Sequence, residues 1–154
     1  RDGKWIELDF PSIPLRPAVP PPGLLESLGL NSHPRGFHEG RFAFLVELAS
    51  ERALRSLRPD FKKLADFGRD VAVTAPSRSK RYDFVSRYFA PAQGIDEDPV
   101  TGSAHCMLGP FWGERLGKSS LRAWQASERG GEVRVRLAGR RVLLRGRALT
   151  VLRG

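Results

Sequence analysis

Lys4-Trp-Ile-Glu-Leu-Asp9 alternates apolar and polar residues, the period-two signature of a half-buried strand. Phe10 to Gly23 then carries six prolines. Proline removes a ladder donor and blocks helix continuation, so residues 10–23 read as an extended connector. Gly23 to Gly29 is a short helix with Leu24, Leu25 and Leu28 on one face, and Asn31 to Gly40 reads as loop and turn. Arg41 to Leu48 is a strand with a strong apolar core. Ser50 caps a short helix containing Leu54 and Leu57. Pro59 opens another at its first turn, with Phe61, Leu64 and Phe67 at helical spacing and Gly68 as its stop. Val71 to Thr74 and Tyr82 to Phe89 are strands joined by the polar turn Pro76 to Lys80.

A helix follows from Gly102 to Leu116, apolar nearly all round through Ala104, Cys106, Met107, Leu108, Phe111 and Trp112. A helix without a polar face is buried on most sides. Beyond it lie four short strands, Leu121 to Ser127, Glu132 to Ala138, Arg141 to Arg145 and Ala148 to Leu152. Arg129-Gly130-Gly131 and Gly139-Arg140 make tight hairpin turns between them. The pattern predicts one α+β domain over residues 1–154: a mostly antiparallel, barrel-like sheet curled around one buried central helix, with two short helices outside. Met107, Leu108 and Phe111 are therefore expected to be buried.

Length and composition fit that picture. The chain has 154 residues and a hydrophobic fraction of 40%, enough for one packed core. No apolar run approaches the roughly 18 residues of a membrane helix. The start, Arg1-Asp-Gly-Lys-Trp5, has neither an initiator Met nor a signal-like stretch and reads as a chain entered mid-protein. The single cysteine, Cys106, excludes an internal disulfide and a cysteine-built metal cluster, and fits a cytoplasmic protein. Net charge is +9, from 26 Lys and Arg against 17 Asp and Glu. The basic residues are spread along the chain, so they predict a solvated surface rather than nucleic-acid binding. His33 and His38 lack nearby ligand partners other than Glu39, and no metal is expected there.

Candidate chemistry concentrates just before the long helix. Gly94-Ile-Asp-Glu-Asp98-Pro99 puts three carboxylates in one loop, and Thr101 stands at the N-cap position. Gly102 and Ser103 leave first-turn N–H groups uncovered, and a helix start of this kind attracts anions. It is suited to a substrate carboxylate or an enolate-like intermediate, with Asp98 and the Ser103 hydroxyl converging on one ligand. The plainer alternative is that Asp98 and Thr101 only cap a core helix. His105 is assigned a structural or site-lining role, and Arg87 an exposed strand position.

Several blocks in order now point to a family. Ser86-Arg-Tyr-Phe89, Gly94-Ile95, Glu97-Asp-Pro-Val-Thr-Gly-Ser-Ala-His105, Leu116-Gly-Lys118, Gln125-Ala-Ser-Glu-Arg-Gly-Gly131 and Arg145-Gly-Arg-Ala148 together resemble the C-terminal half of PhzF-like, phenazine biosynthesis-like proteins. The resemblance is firm from about Asp83 to Gly154 and looser before Val73, where Ile6 to Pro11 resembles the crossover between lobes. It implies a diaminopimelate epimerase-like fold of two pseudo-symmetric lobes, with the site between two helix starts. Asp98 and Ser103 take the positions of family active-site residues, while Thr101, Gly102 and Ser103 would hold substrate. Where the related epimerases begin this helix with a catalytic cysteine, this chain has Thr101, which disfavours two-thiol racemisation. The glutamate and Cys-Gly-His segment of the family's first lobe, assigned to proton transfer, are absent here.

The resemblance thus implies a cofactor-free isomerase acting by proton transfer on a small carboxylated metabolite. Its expected partners are the other lobe and a second copy in a homodimer, with neither nucleic acid nor membrane. Alone, the chain is expected to be inactive. The Trp5/Ile6 strand and Leu149 to Leu152 are where the other lobe would dock. The alternative is a non-catalytic binding or interaction module that retains the scaffold.

Overall fold

The computed structural model describes residues 5–147. Its strands form one nine-stranded sheet in the order β1-β9-β8-β7-β6-β5-β4-β3-β2. In chain order these are β1 (Trp5–Pro11), β2 (Arg16–Pro17), β3 (Gly36–Glu39), β4 (Ala43–Glu47), β5 (Asp70–Pro76), β6 (Phe84–Phe89), β7 (Ser120–Gln125), β8 (Gly131–Ala138) and β9 (Arg141–Arg147). The helices are α1 (Leu24–Ser27), α2 (Glu51–Ser56), α3 (Phe61–Ala65) and α4 (Gly102–Leu116). The strand expected at Ala148 to Leu152 lies outside the described residues.

Pairing is antiparallel except at β4–β5 and β6–β7. Parallel neighbours need a crossover. The α2–α3 pair supplies the first and α4 the second. These crossovers lie on opposite faces of the sheet. One apolar cluster joins α4 to inward residues such as Leu45, Phe84, Leu121, Val133 and Leu144; a second joins α1, α2 and α3 to Val46, Val73 and Phe89. Strands β4 and β5 are covered on both sides, which is why they read as continuous apolar runs rather than alternations.

The expected barrel does not close: β1 and β2 are the two edges of an open, mixed sheet. Nine flat strands about 4.8 Å apart would nevertheless separate those edges by roughly 38 Å. The stretch from Pro11 to Arg16 spans at most about 18 Å. The sheet must therefore bend, and the proline connector crosses the remaining gap. Ser12 N–H donates to Arg140 O at 2.8 Å and Ile13 N–H to Cys106 O at 3.0 Å, tying the connector to both the sheet and α4.

Met107, Leu108 and Phe111 are 2%, 0% and 8% exposed, so the expected burial of α4 is observed. The helix sits unusually close to the sheet at its glycines. A Cβ on Gly109 would approach Val135 Cγ1 to 2.7 Å, and one on Gly113 would run into Leu137 Cδ1, both on β8. Smaller expectations also need correcting. Residues 36–39 form β3 within the predicted loop. Pro59 precedes α3 instead of opening it; Asp60 is the N-cap, accepting from Lys63 N–H at 3.2 Å. Ser50 caps α2 as predicted.

Candidate active site

The loop before α4 is anchored from the sheet, where Asp98 N–H donates to Tyr88 O at 2.9 Å. Its three carboxylates part ways. Asp96 is exposed. Glu97 takes two hydrogen bonds from Arg87, both 2.8 Å. Arg87 also donates to Leu54 O and Leu57 O, so it is a largely buried structural residue rather than an exposed strand arginine. Asp98 alone turns toward the helix start, where its Oδ2 accepts from Thr101 Oγ1 at 2.6 Å.

Thr101 stands at the N-cap position, but its side chain makes no capping hydrogen bond. Gln125, fully buried on β7, holds the turn instead. Its Oε1 accepts from Thr101 N–H at 2.8 Å, while Nε2 donates to Asp98 O at 2.8 Å and Thr101 Oγ1 at 3.1 Å. Freed from capping, Thr101 directs its proton to Asp98. Gly102 and Ser103 are exposed, whereas the helix is buried from Ala104 to Gly113 except at half-buried Pro110. The helix start is therefore open. A Cβ on Gly102 would meet only Leu144 Cδ1 at 3.9 Å. Packing does not demand glycine there; its absence of side chain leaves the first-turn amides accessible.

A second set of residues, not singled out from sequence, adjoins this point. Buried Asp70 accepts from Tyr88 OH at 2.7 Å and from Gln93 Nε2 through both oxygens, at 2.8 and 2.7 Å. Burial and the Asp70 hydrogen bond raise the Tyr88 phenol well above its ordinary value, the charge of Asp98 adds to them, and the nearby Ser103 hydroxyl opposes them in part. Tyr88 thus bonds to Asp70 and lies within electrostatic reach of Asp98. The signal lay in Ser86-Arg-Tyr-Phe89, but only β6 pairing with β5 brings Tyr88 beside Asp70.

Two inner residues are excluded from direct chemistry by burial. Cys106 is 2% exposed and its thiol is pushed up to about 11, so it packs in the core. His105 is fully buried against Phe84. Its Nδ1 lies 2.7 Å from Thr101 O; a carbonyl only accepts, so Nδ1 carries the proton. Nε2 is left without a partner. Burial holds His105 down to about 4.

A depressed histidine has a definite stability signature. The unfolded imidazole binds a proton below about 6.5, the folded one only below about 4, so stability falls as pH drops through that window. His105 should account for about 2 kcal/mol lost between pH 7 and 5. His38, lowered by burial and Arg115, adds a loss of the same sign. Urea melts of wild type and His105→Gln at both pH values isolate the difference; equal losses in the two proteins would contradict a buried neutral His105.

Among the described residues no group of three or more His, Cys, Asp and Glu is placed to hold a metal. Nor is any helix among them long and apolar enough to cross a membrane.

An α+β sheet with a buried crossover helix opening at Gly102 is also the form of known proteins. A solved PhzF-family protein of Enterococcus faecalis superposes with a TM-score of 0.90 at 35% identity, covering 99% of this chain and 57% of that one. A PhzC/PhzF protein of Clostridium difficile gives 0.87 at 33% identity, covering 100% and 58%. An uncharacterized isomerase of Halalkalibacterium halodurans is 49% identical over 153 residues, 98% of this chain and 57% of that protein. Residues 30–154 match the phenazine biosynthesis-like PhzC–PhzF family. The chain belongs to that family. It spans somewhat more than half the length of these relatives.

Proposed function

We propose that this chain forms one wall of the active site of a PhzF-type isomerase that moves a proton on a small carboxylated metabolite without a cofactor. The observation that carries the reading is the open start of α4: exposed Gly102 and Ser103 stand beside Asp98, whose carboxylate is held 2.6 Å from Thr101 Oγ1. In this reading the substrate carboxylate rests on the Gly102 and Ser103 amides, where orphan donors and the positive helix end act together. Asp98 and the Ser103 hydroxyl position and polarise the carbon skeleton, and Thr101 and Gln125 keep Asp98 aimed.

The acid and base come from the family's other lobe, so the chain by itself turns nothing over. Leu8, 52% exposed on β1 opposite Leu144, offers apolar surface near the helix start for that lobe to cover. Names of relatives support the reaction class: curated proteins from Halalkalibacterium halodurans and Pseudomonas aeruginosa, 49% and 42% identical, are called isomerases.

Titrating the ¹⁵N-labelled chain with malonate tests the anion site without turnover. Saturable shifts should centre on the Gly102 and Ser103 amides. Shifts no larger than those caused by chloride at matched ionic strength would remove the substrate-carboxylate role from this helix start.

A further inference from the structure

The arginines that look dispersed in the sequence are gathered by strand register. Arg122 on β7 pairs with Arg134 on β8, and Arg134 with Arg145 on β9. Three guanidinium side chains therefore stand in one cross-strand row, with Glu7 of β1 closing its end. Arg136, two residues along β8, extends the same face, since alternate residues of a strand point the same way. Inward neighbours Ala123, Val133 and Leu144 pack toward α4, so this row lies on the other side of the sheet from the candidate active site. Lys80, Arg81 and Lys118 add three further cations around a groove of about 590 Å³ that Leu143, on the same face of β9 as Arg145, also lines.

Like charges placed directly opposite on neighbouring strands destabilise a sheet. Carboxylates offset part of that repulsion here. Glu132 accepts from Arg134 at 2.9 Å and Arg81 at 2.8 Å, Asp83 pairs with Lys118 at 2.6 Å, and Glu7 pairs with Arg145 at 2.5 Å. Arg122 and Arg136 are exposed, and neither side chain has a salt-bridge partner among the described residues. Seven cations thus share one concavity with two lining carboxylates, Glu7 and Asp83.

We propose that this groove binds a compact oligophosphate group, inorganic or carried by a nucleotide. Size and charge both favour a compact ligand. The volume is that of a small-molecule pocket. Arginine forks match phosphate oxygens bidentately, and several forks a strand spacing apart suit successive phosphates. An extended nucleic-acid strand leaving the groove would instead run past Glu7 and Asp9 on one side or Asp83 and Glu132 on the other.

Calorimetric titration of the chain with sodium tripolyphosphate, and separately with magnesium-free ATP, at about 150 mM salt tests the site. Saturable one-to-one binding of tripolyphosphate is expected. The double variant Arg122→Gln/Arg136→Gln should weaken it at least tenfold, while melting no lower than wild type without ligand because repulsion is relieved. ATP binding as well as tripolyphosphate would mean that phosphates alone are read; tighter ATP binding would add contacts to the nucleoside. No tripolyphosphate heat beyond matched sodium chloride, or unchanged affinity in the double variant, would overturn the proposal. So would a single-stranded oligonucleotide that binds more tightly than either probe. Because the groove and the α4 start lie on opposite faces, malonate shifts at Gly102 and Ser103 should persist in the double variant, which separates this result from the isomerase reading.

Discussion

Asp98→Ala and Ser103→Ala should each lower kcat/KM by about ten- to a thousandfold when the chain is joined to the family's first lobe and a turned-over substrate is supplied. A decrease of that size follows when a polarising or positioning group is removed from a reacting centre. Folding should change little. Ser103 is exposed, and Asp98 gives up one hydrogen bond from Thr101, worth about 1 kcal/mol. Chemical melts run beside the kinetics distinguish a site defect from an unfolded variant. If both variants keep wild-type turnover, Asp98 merely organises the turn before α4 and the site assignment fails.

Trp112→Ala should be the costliest single truncation, at about 3–5 kcal/mol. The indole is 4% exposed, stacks on Phe84 at 5.7 Å with rings 9° apart, and meets Phe111 edge-on at 5.6 Å. Its Nε1–H donates to buried Thr74 Oγ1 at 2.9 Å, so the side chain ties α4 to β5 through both area and polarity. Trp112→Phe keeps most of the ring packing and loses that donor, and should cost only about 1–2 kcal/mol. The difference appears directly in urea midpoints. A loss below about 1 kcal/mol for the alanine variant would mean that α4 is not packed against the sheet as described.

Local chemistry accounts for much of the architecture. The α4 bounds, Gly102 to Leu116, are those expected from its nearly all-round apolarity, and Ser50 caps α2 because its hydroxyl reaches an orphan amide three residues on. Gly139, at φ 58, turns the β8–β9 hairpin where a glycine was the visible signal. Strand β3 escaped because four residues, Gly36-Phe-His-Glu39, are too few to show a period. Parallel pairing of β4 with β5 escaped as well, since a run buried on both faces carries no alternation to say which neighbour covers it.

The candidate site divides along the same line. Asp98, Thr101, Gly102 and Ser103 were legible because they are contiguous and open a helix, and a helix start announces its chemistry through its own backbone. What holds the neighbouring carboxylate away was not legible: Glu97 goes to Arg87, ten residues back on β6, while Asp98 takes the Thr101 hydroxyl three residues ahead. Gln125, Tyr88 and Asp70 come from three different strands, and no local pattern links them. The basic row is the clearest case. Arg122, Arg134 and Arg145 are evenly scattered in the chain, and become one face only when register sets β7, β8 and β9 side by side. Sequence by itself determines what depends on neighbours along the chain: helix bounds, caps, turns and the run that opens α4. Tertiary structure alone decides what depends on pairing across it, because a sheet brings together residues whose separation in sequence carries no energy of its own.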